Sequence, residues 1–98
     1  MNTTINLDFG SKEKWALAGD HFGKQVYQEQ VANVLTDEEW QNEITICFPD
    51  QITLISISFW DGFAQPMVNK IGYDGITERV HFVTSSKKLT KELYNDLI

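Results

Sequence analysis

A single α/β domain with a largely parallel sheet is the fold class this sequence predicts, and three observations predict it. Segments of period two, or unbroken runs of β-branched residues, alternate along the chain with segments of helical period. Their order is β, α, β, short β, α, β, α, which right-handed crossovers close into parallel strands. The 98 residues amount to about one domain, with no repeat, low-complexity tract or linker to divide them. Residues 1–98 are therefore taken as one unit.

The opening strand is read from Thr4-Ile5-Asn6-Leu7-Asp8-Phe9, which alternates apolar and polar. Gly10 and Ser11 stop it, and Lys12–Lys14 form a charged turn. From Ala18 to Leu35, Phe22, Val26, Val31 and Val34 fall on one stripe at helical spacing. Gly19 and Gly23 lie four apart on that helix, and their cost there implies close approach to a sheet. Thr36-Asp37-Glu38-Glu39 reads as an N-cap with an acidic first turn, carrying Trp40. Glu43-Ile44-Thr45-Ile46-Cys47-Phe48 suits an internal strand, ended by Pro49-Asp50. A short strand, Ile52–Ile57, leads into a helix over Ser58–Ile71, with Phe59, Phe63, Met67 and Ile71 on one stripe and a kink or break expected at Pro66. Gly72 and Gly75 mark a turn, Val80–Val83 a strand, Thr84–Lys88 a loop, and Leu89–Ile98 a closing helix with Leu89, Leu93 and Leu97 aligned.

Composition narrows the function classes. Hydrophobic residues at 42% and charged residues at 22% suit a folded chain, and three Trp and six Phe supply bulky core material. The net charge of −6 sits in residues 1–50, where nine acids face Lys12, Lys14 and Lys24; the second half balances. Such a half repels phosphate backbones, so no nucleic-acid partner is expected. The lone Cys47 excludes an internal disulfide and, in its apolar run, reads as a small buried hydrophobe. Met1–Asn6 lacks the basic and apolar regions of a leader, and no apolar run approaches the ~20 residues of a membrane span. A cytoplasmic protein with no membrane contact is expected.

The strand-to-helix changeover Leu54–Phe63 concentrates the chemistry. Ser58 stands there with Asp61 three residues on, the spacing of a helix-opening capping box. A hydroxyl at that place is either a structural cap or a site where phosphate would meet a helix N-terminus. Trp60, expected opposite Phe59 and Phe63, is either an exposed anchor or packing material; Trp15 and Trp40 share that ambiguity. His21 and His81 have no neighbours at metal-ligand spacing, so no metal or other cofactor is expected. Ser58 lacks the Gly-x-Ser-x-Gly elbow and an identifiable base, so hydrolysis is not expected.

Several segments in order give the chain a family likeness. Leu17-Ala18-Gly19-Asp20 opens the first long helix, Ile55-Ser56-Ile57-Ser58-Phe59 ends a strand, and Gly62-Phe63, Lys70-Ile71-Gly72 and Val80-His81-Phe82 follow. From about Ala16 onward the chain resembles the STAS-like domains of unassigned function, relatives of the STAS domains of anti-anti-sigma factors. The resemblance implies a mostly parallel four-stranded sheet packed by two or three helices. It also implies a non-enzymatic regulatory module that binds a protein partner, such as a histidine-kinase-like ATPase. In those regulators a serine at this helix start is phosphorylated by the partner, and by position Ser58 is the residue that carries over. The family's acceptor motif is Asp-Ser-Ser-Gly, however, and Ser56-Ile57-Ser58-Phe59 lacks both its acid and its glycine. The surface implied for partner binding comprises Ser56, Trp60, Asp61 and Gly62, together with Gly19 and Asp20. An alternative function follows from the acidic first half: a phage-type inhibitor or decoy that blocks a basic nucleic-acid-binding surface, through Asp37, Glu38 and Glu39.

Overall fold

The computed structural model describes residues 2–97. Over them the chain runs β1 (Thr3–Asn6), β2 (Ala16–Leu17), α1 (Asp20–Tyr27) continuing into a π-turn (Gln28–Ala32), α2 (Asp37–Trp40), β3 (Ile44–Cys47), β4 (Leu54–Ile55), α3 (Ile57–Arg79), β5 (Val80–Val83) and α4 (Lys87–Asn95). The α/β class and the parallel pairing agree with the sequence. A four-stranded sheet does not form. Instead β1-β3-β5 make one parallel sheet and β2-β4 a second, two-stranded one. The reason is local. A turn closed by the Ile52 N–H on the Pro49 carbonyl (3.0 Å) and the helix cap at Ser56 leave β4 only two residues, and Ala16-Leu17 supply its partners.

Period-two alternation sets the faces of the larger sheet. Ile5, Leu7, Ile44, Ile46, Val80 and Phe82 are buried on the inner face. Thr4, Asn6, His81 and Val83 on the other face are exposed, and Thr45 and Cys47 are half-buried there. Cys47 thus sits on the outer face rather than in the core, a correction to its reading as a buried hydrophobe. The inner face meets an aromatic cluster in which Phe63 stacks on Trp60 (centroids 5.7 Å) and Trp60 lies edge-on to Phe82 (4.9 Å). Both outer strands are finished by side chains standing where a neighbouring strand would be. The Tyr94 hydroxyl donates to the Val80 carbonyl (2.8 Å) and accepts from the Phe82 N–H (3.0 Å), sealing β5. Past the end of β1, the Gln30 amide accepts from the Asp8 N–H (2.8 Å) and donates to its carbonyl (2.7 Å).

Four helical expectations change. The first helix starts at Asp20, not Ala18, because Gly19 adopts φ 99°, outside the helical region. Its last turn widens to i→i+5 bonding, Asn33 N–H to Gln28 carbonyl, which turns Gln30 toward Asp8. Gly23 gives close approach as expected, but to a helix: an added Cβ would lie 2.2 Å from the Phe59 carbonyl oxygen. Gly62 is the mirror of this contact, with an added Cβ 2.1 Å from the Asp20 carbonyl oxygen. In α3, Pro66 leaves the dihedrals helical, and the break falls at Gly72 (φ 76°, ψ 166°), a conformation glycine adopts without the Cβ penalty. Residues 73–79 then continue as helix, so Gly75 lies inside an element rather than in a turn. The expected end of the last helix at Ile98 lies outside the described residues, as does Met1 of the leader reading. Among the described residues no helix is long and apolar enough to cross a membrane.

Candidate functional site at the β4–α3 turn

The β2-β4 ladder ends where both α1 and α3 begin. Ser56 N–H donates to the Leu17 carbonyl (2.8 Å), holding the two strand ends level. Ser56, with extended dihedrals, caps α3: its Oγ accepts from the Phe59 N–H at 3.1 Å. Ser58 is therefore not the cap, and it forms no capping box with Asp61. The sequence reading was displaced by two residues because strand-like alternation runs unbroken through Ile55-Ser56-Ile57-Ser58.

Ser58 lies one residue inside the helix, exposed, and its Oγ has a different task. It accepts from the Gly19 N–H (3.1 Å) and lies 3.1 Å from the Ser56 Oγ. Gly19 donates because its positive φ aims the amide across to α3. The hydroxyl thus ties the start of α1 to the start of α3, across 39 residues of sequence. Neither of its bonded neighbours is a base that could draw off its proton.

The helix start divides sharply between interior and surface. Trp60 is 1% exposed, which corrects its reading as a partner-facing anchor; an α-helix places position 60 beside 63 and 64, on the core side. Its indole N–H is buried without a hydrogen-bond partner. Gly62 is likewise buried, and its lack of a side chain serves the α1 contact rather than a binding partner. Ser58 and Asp61 remain outside, together with Asp20, whose carboxylate pairs with Lys24 (2.9 Å). Gly19 is half-buried beneath them.

Three residues absent from the expected surface are exposed around this turn. Trp15 is 60% exposed, Leu54 51% and Ile57 64%. They bracket the ladder: the Trp15 carbonyl accepts from the Leu54 N–H (3.3 Å), and Ile57 opens α3. Leu54 and Ile57 fall in the expected short strand Ile52–Ile57 and carry no sign of exposure, so only Trp15 offers a signal. Trp40, by contrast, is 2% exposed.

The acidic run lies elsewhere and is partly structural. Thr36 caps α2 with a full capping box: its Oγ accepts from Glu39 N–H (3.2 Å) and Glu39 Oε1 accepts from Thr36 N–H (2.9 Å). Glu39 Oε2 also accepts from the Thr3 hydroxyl (2.9 Å). The Thr36 amide, then the Thr3 and Thr36 hydroxyls, hold the Glu39 carboxyl below its usual range. Asp37 lies 3.6 Å from Lys70, on an exposed pair, while Glu38 lines a groove of about 220 Å³ with Thr3, Thr36, Glu39 and Asn42. On the outer sheet face His81 Nε2 bonds Glu43, a partner 38 residues away that sequence spacing does not reveal. His21 is exposed on α1.

Comparison of the chain with protein-family models, with curated proteins and with solved structures returned no match.

Proposed function

We propose that this chain is a small, non-enzymatic regulatory module, STAS-like in kind, that presents the β4–α3 turn around Ser58 to a protein partner. The observation that carries the reading is the group of large apolar side chains left exposed at that turn, Trp15, Leu54 and Ile57, beside Ser58 and Asp61. Exposed apolar groups ringed by polar ones are the usual make-up of a binding surface. The partner class is the histidine-kinase-like ATPase that the family resemblance implies. Ser58 is the contact and modification residue. A phosphate there would add about −1.5 to −2 charge beside Asp61 and Asp20 and disturb the bond from Gly19, which would reshape the surface.

Affinity capture from native cells, with bound proteins identified by mass spectrometry, tests this with wild type, Ile57→Asp and Ser58→Glu. Ile57→Asp replaces an exposed side chain and Ser58→Glu gives up only the single bond from Gly19, so circular dichroism should show both variants folded. The expected result is an ATPase retained by wild type and lost by both variants. Equal capture by all three would remove the turn as the interface, and loss of a partner of another fold would remove the partner class. The acidic-decoy alternative rests on the charge of residues 1–50, of which Asp37 and Glu39 are already engaged within the fold. Capture that collapses with added salt and depends on Glu38 would favour it instead.

A further inference from the structure

The strongest concentration of positive charge in this acidic chain coincides with a groove. Three of the eight Lys and Arg residues fall within Lys87–Lys91. The groove, about 470 Å³, is lined by Phe82, Val83, Thr84, Ser86, Lys87 and Lys91, with Ser85 and Thr90 completing the wall, and no carboxylate lines it. That volume lies within the ~300–1,000 Å³ usual for small-molecule sites. It opens beyond the carboxyl end of β5, the end at which α/β sheets commonly hold ligands.

We propose that this groove binds a phosphate monoester carried on a small apolar or aromatic body. Lys87 and Lys91 are one turn apart on α4, so their ammonium groups can converge on one dianion. Neither is in an ion pair among the described residues, so no internal carboxylate competes. Val83, 46% exposed, provides an apolar wall for the body of the ligand. The hydroxyl wall is already organised. Thr84 donates to the Ser86 carbonyl (2.8 Å) and lies 2.8 Å from the Thr90 hydroxyl, while Ser85 donates to the Ile52 carbonyl (3.0 Å). Walls fixed before the ligand arrives lose little entropy on binding. The groove shares no lining residue with the Ser58 turn, and its occupancy requires no protein partner.

Amide chemical-shift titration of the purified chain tests it, with phenyl phosphate, inorganic phosphate and phenol as probes. Phenyl phosphate is expected to move and saturate the amides of Val83 to Lys91 at millimolar concentration. The K87Q/K91Q variant, altered only at exposed lysines, should bind it about tenfold or more weakly, as loss of charge-assisted contacts implies. Inorganic phosphate and phenol should each bind more weakly than the ester. The proposal is overturned if phenyl phosphate moves no groove amide, if K87Q/K91Q binds it as wild type does, or if phenol binds equally well.

Discussion

Two strand-to-helix turns in this chain share one construction and differ in everything around it. Ser56 caps α3 and Ser86 caps α4, each from an extended backbone and each accepting the third helical amide at 3.1 Å. Outside the cap they part. The α3 turn is surrounded by Trp15, Leu54, Ile57, Asp20 and Asp61, apolar and acidic; the α4 turn by Lys87, Lys88 and Lys91. They part inside as well. The start of α3 is clamped against α1 through Gly23 and Gly62, whereas α4 packs through an ordinary leucine stripe, with Leu89 and Leu93 buried. A serine cap therefore reports where a helix begins and nothing about what the surface beside it binds.

The largest effect that could break this comparison is at the clamp. Gly62→Ala should destabilise the chain by about 3 kcal/mol or more, because the new Cβ meets the Asp20 backbone, which has no rotamer to yield. Lys88→Ala, two residues beyond the Ser86 cap, should stay within about 0.5 kcal/mol, as exposed sites do. Urea unfolding of both variants measures the contrast, and equal midpoints would show that the clamp does not distinguish the turns.

Next in size is Tyr94→Phe, on the α4 side. It leaves the Val80 carbonyl and the Phe82 amide without the hydroxyl that bridges them, at a cost of about 1–3 kcal/mol. Burial raises the Tyr94 pKa, so the folded state favours the neutral phenol. Stability drawn from it is complete below the ordinary tyrosine range and declines as pH rises above that range. Alkaline unfolding followed by tyrosinate absorbance should therefore separate wild type from Tyr94→Phe.

The caps themselves come third, and here the two turns should match. Ser56→Ala and Ser86→Ala should each cost about 1 kcal/mol. Thermal unfolding that shows a much larger loss for Ser56→Ala would mean that its contact with Ser58 contributes as well. The smallest effect is at the third cap, Thr36, whose box contains a carboxylate. Glu39 has its pKa lowered in the folded state, so its contribution is present above the ordinary carboxylate range and is lost as pH falls through the folded value. Glu39→Gln should lower stability slightly in the neutral region and leave it unchanged at the acid end, so that the acid limb of the profile flattens.

How far the sequence was legible follows from which forces act locally. β1, β3 and β5 declared themselves through alternation and β-branched runs, and the stripe Phe59, Phe63, Met67 marked the buried side of α3. What escaped depends on distant partners. β2 is a two-residue strand with no period to read, paired to the β4 that the short strand expected over Ile52–Ile57 became, shortened to Leu54–Ile55. Gly72 carries the break in α3 instead of Pro66, because a proline, whose fixed φ is itself helical, forfeits one backbone bond, while a glycine can leave the helical region freely. At the site, Ser58 and Asp61 were found by position, but Trp60 was placed on the wrong side. Positions 60 and 63 are neighbours on a helix wherever it begins, so Trp60 follows Phe63 into the core, a proximity that the Phe59, Phe63, Met67 stripe alone does not display. Trp15, Leu54 and Ile57 were missed for a related reason: composition marks them as core, and only the fold leaves them outside.

The π-turn at Gln28–Ala32 has a consequence for how this chain tolerates length change. Widening a helical turn accommodates one more residue than α-helical bonding would, so the segment behaves as a one-residue insertion absorbed without a loop. Deleting Glu29 would restore regular winding and rotate Gln30 by about 100° about the helix axis, away from the Asp8 backbone it closes. Relatives that differ in length by one at this place would thus be expected to finish the border of the sheet with a different side chain, even where every other element keeps its register.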